Sequence, residues 1–163
     1  LDRGGDGYTV EFDARLISES HSSADRAGFS AIALSSDGLG IELGFWEGEV
    51  WAQSGADFQH AEGASFDTTA RMVTYQLAVE ASGYTLYADG AELLTGSLRD
   101  YSAHANLVYS QSDFLFFGDN TTSAAGSVEL GPISVLDAAV PEPATMGLLS
   151  LGGLVLLLRR RGA

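Results

Sequence analysis

Residues 73–90 have the sequence VTYQLAVEASGYTLYADG, and its pattern indicates two β-strands joined by a tight turn. From Val73 to Val79 every second residue is a large apolar one, and a period of two is typical of a strand with one buried face. A second run, Tyr84–Ala88, ends at Asp89-Gly90, a pair that supplies the positive φ of tight hairpins. The stretch therefore predicts a β-hairpin within an antiparallel sheet.

Similar patterns continue on both sides of this hairpin. Tyr8–Leu16 alternates apolar and polar residues in the same way. Shorter apolar runs predict further strands at Phe29–Leu34, Leu39–Phe45, Val50–Gln53, Glu92–Leu94, Phe114–Phe117 and Val128–Leu136. No long stretch before residue 138 has a helical period. Many short strands separated by turns predict an all-β fold, an antiparallel β-sandwich and not a parallel α/β sheet.

The order and spacing of these runs is similar to that of concanavalin-A-like and laminin-G-like jelly rolls. The hairpin of residues 75–90, the run Leu93–Gly96 and the closing runs Phe114–Asp119 and Val128–Val135 carry the resemblance. It covers residues 8–137 and implies a jelly-roll β-sandwich of a kind that occurs in several surface proteins. Lectins, glycan hydrolases and adhesion modules all share this superfold, so the resemblance alone does not define a function.

The amino-acid composition excludes several functions. The 163 residues include eight arginines, no lysine, no cysteine and 22 acidic residues, which gives a formal net charge of −14. A chain without a basic patch is repelled by a polyanion, so we expect no nucleic-acid partner. The absence of cysteine excludes disulfides, thiolate zinc sites and a cysteine nucleophile.

Composition changes abruptly near residue 138, which divides the chain into a β-sandwich domain, residues 1–138, and a tail, residues 139–163. The tail contains an uncharged stretch, Ala144–Leu158, that is apolar on all sides and is followed by three arginines. As a helix this stretch is about 22 Å long, and with its flanking residues it can marginally span a hydrocarbon core of roughly 30 Å. We expect a short transmembrane helix with the arginines on the cytoplasmic side. The alternative is a buried helix of a soluble protein.

Residues 140–145, Val-Pro-Glu-Pro-Ala-Thr, precede this stretch, and with the arginine cluster they resemble the PEP-CTERM sorting signal. In that family an exosortase, a membrane protease-transferase, recognises the Pro-Glu-Pro motif. The resemblance implies that the sorting residues are Pro141, Glu142, Pro143, Arg159, Arg160 and Arg161. It also implies a Gram-negative bacterium that makes exopolysaccharide, transient anchoring in the inner membrane, and delivery to the cell surface or extracellular matrix. Since the sequence starts at Leu1 without a signal peptide, we expect an export signal upstream.

Two tryptophans near a predicted turn indicate a ligand site. Flat aromatic faces stack on sugar rings, and nearby carboxylates and amides bond the sugar hydroxyls. We therefore predict a polysaccharide-binding patch that consists of Trp46, Glu47, Glu49, Trp51 and Gln53. The alternative is that the two rings pack in the core or form a cross-strand pair that stabilises the hairpin. Strand alternation puts the neighbours Phe45 and Trp46 on opposite faces, so one of them must leave the core side.

Asp119 and Asn120, on a loop after a strong predicted strand, are the best candidate metal ligands. Calcium accepts carboxylate, amide and backbone oxygens and needs no exact linear motif. Laminin-G-like modules, which the chain resembles, often hold calcium at a rim of loops, so we predict a calcium site here. The alternative is an Asx-type turn. Zinc is not expected, because no zinc-ligand spacing accompanies the three histidines, His21, His60 and His104.

A glycan-active enzyme, either a glycoside hydrolase or a lyase, is the alternative to a binding module. Retaining glucanases of the concanavalin-A-like fold carry their carboxylates in the order Glu-x-Asp-x-x-Glu on one strand. Glu11-Phe12-Asp13 begins this pattern, but Leu16 occupies the position of the second Glu, and Glu19 lies too far along the strand. We therefore expect no catalytic residue and a non-catalytic surface or matrix module that binds polysaccharide. A purely structural matrix component is a second alternative.

Overall fold

The computed structural model describes residues 1–137 without Asp6, Ala56, Ser82 and Ala105. This part of the chain contains eleven strands and a short 3₁₀ helix, Leu107–Ser110. The strands are β1 (Tyr8–His21), β2 (Ser30–Leu34), β3 (Leu39–Trp46), β4 (Glu49–Gln53), β5 (His60–Ser65), β6 (Val73–Val79), β7 (Gly83–Ala88), β8 (Ala91–Ser97), β9 (Arg99–Asp100), β10 (Phe114–Gly118) and β11 (Ala124–Leu136).

The strands form two sheets that pack as a sandwich. One sheet has the strand order β11-β1-β6-β7-β8, and the other has the order β10-β2-β3-β4-β5, with β9 paired to β3. All neighbouring strands are antiparallel. The predicted all-β antiparallel jelly-roll sandwich is therefore confirmed.

The tail, residues 139–163, and its predicted transmembrane helix lie outside the described residues. Among the residues that are described, no helix is long and apolar enough to cross a membrane.

β1 shows how alternation produces the core. Phe12 is buried between the sheets, whereas its neighbours Glu11 and Asp13 are half-exposed on the outer face. The ring of Phe12 stacks on Tyr75 with 5.3 Å between centroids, and it meets Phe45 of the opposite sheet edge-on at 6.2 Å. Aromatic pairs of this geometry add to the free energy gained by burying apolar area, so these rings join the two sheets.

A second apolar layer covers the outer face of the sheet that contains β3. Tyr101 and Tyr109, from the segment that includes β9 and the 3₁₀ helix, pack there on Ile32 and Leu34. The side chains packed around this layer are Phe58, Val108, Phe114 and Phe116. Much of this outer face is therefore buried, and the β3–β4 hairpin lies at one of its ends.

Two strands and the 3₁₀ helix were not predicted from the sequence. β5 reads His-Ala-Glu-Gly-Ala-Ser, and as an edge strand it alternates half-buried and exposed residues without large apolar side chains. β9 has only two residues. The 3₁₀ helix follows Asn106, whose side chain accepts a hydrogen bond from the N–H of Val108 and so caps the first turn.

Candidate functional site

The β3–β4 hairpin has a two-residue turn, Glu47-Gly48, between the paired residues Trp46 and Glu49. Phe45 pairs with Val50, and both side chains are buried in the core. Because alternate residues point to opposite faces, Trp46 and Glu49 lie on the outer face. It is therefore Trp46, and not Phe45, that leaves the core side.

Trp46 belongs to a cluster of four rings. The imidazole of His21 stacks on Trp46 with 4.3 Å between centroids and 11° between ring planes. Trp51 and His60 contact Trp46 at 5.4 Å and 4.9 Å, and His60 also stacks on Trp51 at 4.5 Å. The indole Nε1 of Trp46 donates a hydrogen bond of 2.9 Å to the carbonyl oxygen of Arg26. Stacking and hydrogen bonding thus fix the orientation of Trp46 at the hairpin.

Glu19 positions the outer ring of this cluster. Its Oε2 atom lies 2.9 Å from His21 Nδ1, and its side chain is only 3% exposed, whereas that of His21 is 32% exposed. His21 therefore lies over Trp46 with one side turned to solvent. The sequence analysis missed both Glu19 and His21. The sequence did contain a signal for this pair: Glu19 and His21 are two positions apart, a spacing that places both side chains on one face of a strand.

A trench runs along this end of the sandwich. Its central groove, of about 580 Å³, is lined by Glu19, Ser20, His21, Trp46, Glu47, Gly48 and Glu49. A second groove, of about 570 Å³, shares Glu47 and Gly48 with it and continues along Ser65, Phe66, Asp67 and Thr69. A third, of about 320 Å³, shares Ser20 and His21 and continues along Ser22, Thr122, Ser123, Ala124 and Ala125. Because neighbouring grooves share lining residues, the three lie side by side, and we refer to them together as the trench.

The carboxylates of the turn lie along the trench. Glu49 Oε1 is 3.2 Å from His60 Nε2, and the Glu49 side chain is 31% exposed. Glu47, at the exposed tip, accepts one long hydrogen bond of 3.3 Å from the backbone N–H of Glu19. Both oxygens of Glu47 therefore retain capacity to accept hydrogen bonds from a ligand.

The structure corrects the predicted patch at Trp51 and Gln53. Each residue is only 1% exposed. The rings of Trp46 and His60 pack against Trp51, and the Tyr101 hydroxyl donates a hydrogen bond to the Gln53 backbone carbonyl. Trp51 lies flat over Gly44, where a Cβ atom would come within 2.6 Å of its ring. Trp46 and Trp51 form a diagonal pair on one face of the hairpin. For Trp51 this agrees with the alternative that the ring packs within the protein. Of the predicted patch, Trp46, Glu47 and Glu49 line the trench.

Glu42 is a buried carboxyl group that the sequence analysis did not identify. It is 4% exposed, its Oε2 accepts a 2.6 Å hydrogen bond from the Tyr109 hydroxyl, and its Oε1 accepts one of 3.3 Å from Asn120 Nδ2. Burial raises the pKa of Glu42 above the ordinary range of a glutamate, because a charge loses its hydration there. The sequence signal for a buried glutamate was its position between the apolar residues Ile41 and Leu43.

Asp119 and Asn120 make protein hydrogen bonds in the structure. Asp119 Oδ1 accepts a 2.9 Å hydrogen bond from the N–H of Thr121, which is an Asx-type turn, and Asn120 Nδ2 donates to Tyr109 at 2.7 Å as well as to Glu42. Within the described part of the chain, no group of three or more acidic, His or Cys side chains could hold a metal ion. This donor set does not fit calcium, which requires six to eight oxygens. The geometry favours the Asx-turn alternative, and calcium binding stays a prediction.

Glu11 and Asp13 lie on the outer face of their sheet, earlier on β1 than the trench residues Glu19–His21. Glu11 Oε2 accepts a 2.9 Å hydrogen bond from Gln76 Nε2, and Asp13 Oδ1 accepts one of 2.7 Å from the Thr74 hydroxyl. Neither residue lines any of the three grooves of the trench. The two carboxylates are therefore part of cross-strand hydrogen bonding.

Comparison with solved structures identifies the fold of the domain. Sheep galectin-11, in a complex with glycerol, superposes with a TM-score of 0.50 and 12% identity over 83% of this chain and 93% of the galectin. The carbohydrate-binding module CBM66 from Bacillus subtilis gives 0.50 and 9% over 81% of this chain and 76% of the module. Trypanosoma rangeli sialidase gives 0.50 and 16% over 83% of this chain, which spans only 21% of the sialidase. The domain thus has a concanavalin-A-like sandwich fold.

The tail is identified by its sequence. Residues 139–161 match the PEP-CTERM protein-sorting motif, which confirms the resemblance seen in residues 140–145. No curated protein matches the chain.

Proposed function

We propose that this chain is an exosortase-sorted surface or matrix protein whose β-sandwich binds polysaccharide without catalysis. The observation that carries the proposal is the trench at the β3–β4 hairpin, in which His21 and Trp46 stack beside two accessible carboxylates. The proposal is supported by the fold that the domain shares with a galectin and a carbohydrate-binding module. The sorting motif supports delivery to the outside of the cell.

Each part of the trench has a role in this proposal. The exposed side of His21, backed by Trp46, offers a flat face on which a sugar ring stacks. Glu47 and Glu49 accept hydrogen bonds from sugar hydroxyls. Hydroxyl groups of Ser20 and Ser22 continue the polar lining in the neighbouring groove. An open trench of joined grooves accommodates several units of a polymer more readily than one isolated sugar.

A glycan-active enzyme is the rival proposal, since a sialidase is among the similar structures. Hydrolysis with a pair of carboxyl groups requires them to flank one glycosidic bond at about 5–9 Å from each other. Glu11 and Asp13, the pair that began the glucanase pattern, are outside the trench. The non-catalytic proposal therefore fits the placement of these two residues better.

A glycan array probed with residues 1–138, with and without calcium, tests the proposed function. This segment is suitable because both apolar clusters of the described fold consist of residues within it. We expect binding to a defined set of polysaccharides with no release of shorter products. Product release would support the enzyme. Absence of binding under both conditions would contradict the proposal and favour a structural matrix component.

The tail gives a separate prediction about sorting. Replacing Arg159, Arg160 and Arg161 by alanine should prevent delivery to the cell surface, because the positive charges hold the chain end in the cytoplasm while Pro141-Glu142-Pro143 is processed. Fractionation of the bacterium that produces the protein measures the outcome. Arg71→Ala, at a residue whose side chain is 64% exposed in the domain, is the matched control and should be delivered normally. Unchanged delivery of the triple variant would contradict the predicted orientation.

A further inference from the structure

We infer that the trench selects polysaccharides by charge: it binds polymers of amino sugars with free amines most tightly, neutral polymers less tightly, and uronic-acid or sulfated polymers least. This inference rests on the proposed function and names its ligand class. It follows from the distribution of charges along the trench. Three observations carry it: accessible carboxylates at the centre, the engagement of the arginines, and the aromatic surface beside the carboxylates.

Within the described residues, the accessible carboxylates of the central groove form no ion pair with an arginine. Glu49 contacts the imidazole of His60, and the Glu47 carboxylate accepts a hydrogen bond from the backbone N–H of Glu19. Asp67 adds a third carboxylate further along the trench. An ammonium group bound here gains attraction from these charges, whereas a sugar carboxylate or sulfate meets like charge.

The arginines of the domain are engaged in other contacts. Residues 1–140 hold five arginines and 21 acidic residues, hence a net charge of −16. The arginine contacts are those of Arg3 with Asp37, Arg15 with the Thr69 carbonyl, Arg26 with the Phe58 carbonyl and ring, Arg71 with Asp89, and Arg99 with Glu62. None of the five lines the grooves of the trench as described, and only Arg15 contacts a trench residue through its guanidinium. Within the described residues, a polyanionic ligand therefore meets one guanidinium beside the grooves, that of Arg15 near Thr69, and none in the central groove.

The aromatic surface favours the same ligand class. The exposed aromatic face in the central groove is that of His21, because its ring stacks on Trp46 with 11° between the ring planes. Sugar rings stack on flat aromatic faces, so His21 and Trp46 hold a sugar beside the carboxylates of this groove. A sugar that stacks near Trp46 brings a ring amine within reach of Glu47 and Glu49. Serine hydroxyls at Ser20 and Ser22 bond the remaining sugar hydroxyls of any of these polymers.

Isothermal titration with four soluble hexaoses of matched length tests this inference. The probes are β-1,4-linked hexaoses of glucosamine, N-acetylglucosamine and glucose, together with a uronic acid hexaose, at low salt and slightly below neutral pH, where sugar amines are protonated. Two exposed ion pairs are worth about three- to tenfold in affinity, so we expect the glucosamine hexaose to bind that much more tightly than the acetylated and neutral ones. The uronic acid hexaose should bind most weakly.

A double variant separates the local effect from the charge of the whole domain. Glu47→Gln with Glu49→Gln should reduce the preference for the amine to within about twofold, and it should bind the neutral hexaoses more weakly than wild type because each Gln has one acceptor oxygen where Glu has two. Glu80→Gln with Glu92→Gln removes the same charge at two exposed residues outside the trench and should keep the preference. Thermal unfolding of each variant shows whether it is folded.

The outcomes distinguish this inference from the proposed function. The charge selection would be overturned if the neutral hexaoses bound as tightly as the glucosamine hexaose. It would also be overturned if the double variant kept its preference for the amine. Either result would leave polysaccharide binding in place. Stronger binding of the uronic acid hexaose would overturn the charge selection in the same way. If no hexaose bound although the glycan array showed polysaccharide binding, the charge selection would be overturned and the proposed function would stand; if the array showed no binding either, the proposed function itself would be wrong.

Discussion

The Trp46→Ala variant should bind polysaccharide at least about tenfold more weakly than the wild-type protein, a loss of about 1.4 kcal/mol. The indole supports the ring of His21, and it is the largest apolar surface that lines the trench. Without it, the ligand loses an aromatic contact, and His21 loses the surface that orients it. Titration calorimetry with a polysaccharide found on the glycan array measures the change.

Two matched variants make this prediction sharper. Trp46→Phe keeps an aromatic face and should retain most of the affinity. Glu19→Gln removes the charge beside His21 Nδ1 but leaves Trp46 in place, so a smaller loss is expected. Since Trp46 is only partly buried, the alanine variant should remain folded, which near-ultraviolet circular dichroism verifies. A folded Trp46→Ala variant with wild-type affinity would show that the ligand binds elsewhere.

Substitution of Glu42 should change the free energy of unfolding by a few kcal/mol, in opposite directions for two variants. Glu42→Ala leaves the Tyr109 hydroxyl and the Asn120 amide without their shared acceptor, at a cost of about 2–4 kcal/mol. Glu42→Gln removes the buried charge and keeps one acceptor oxygen for the Tyr109 hydroxyl, although its amide nitrogen cannot accept the long hydrogen bond from Asn120 Nδ2. We expect it to be more stable than wild type near neutral pH by about 1–2 kcal/mol.

The pH dependence of this effect follows from the direction of the pKa shift. Burial raises the pKa of Glu42, so the folded state binds its proton more tightly than the unfolded chain does. The stability that this group contributes is fully present below the pKa of an unfolded glutamate and is lost as pH rises through the raised pKa. The advantage of Glu42→Gln should therefore grow with pH across that window and then level off.

Chemical denaturation at several pH values measures both variants. Arg26 is the cation whose charge favours ionised Glu42, and the side chains of Tyr109, Ser30 and Asn120 form hydrogen bonds with its carboxyl group. Glu92→Gln, at an exposed position, is the control and should change stability little at any pH. A Glu42→Gln variant that is less stable than wild type at neutral pH would contradict the account of a costly buried charge.

The sequence was sufficient for the parts of the fold that local pattern determines. Alternation over Tyr8–Leu16 and over Val73–Val79 predicted β1 and β6, because one face of each strand is buried against the opposite sheet. The predicted turn between the two tryptophans, Glu47-Gly48, has a different signal, because a glycine between two apolar runs marks a hairpin. β5 was missed because this edge strand contains only small and polar residues, so large apolar side chains do not alternate with polar ones in its sequence.

The candidate site was only partly predictable, because its burial depends on contacts distant in sequence. Trp51 and Gln53 alternate correctly with Glu49, but both are buried, and their contacts come from other segments: His60 stacks on Trp51, and the Tyr101 hydroxyl bonds the Gln53 carbonyl. The role of Glu42 likewise depends on Tyr109, 67 positions away. Trp46 lines the trench because it lies on the outer face of the hairpin, and its role in ligand binding stays a prediction.

The measurement that tests the proposed site most directly is a titration of the isotope-labelled domain with a bound polysaccharide fragment, followed by nuclear magnetic resonance. The chain has two tryptophans, so two indole N–H signals can be assigned with the Trp46→Phe variant. We predict that the Trp46 signal and the backbone signals of His21 and Glu47 shift progressively until saturation. A saturating titration that leaves Trp46 unmoved, with shifts confined to another surface such as Asp119 and Asn120, would contradict a polysaccharide site in the trench.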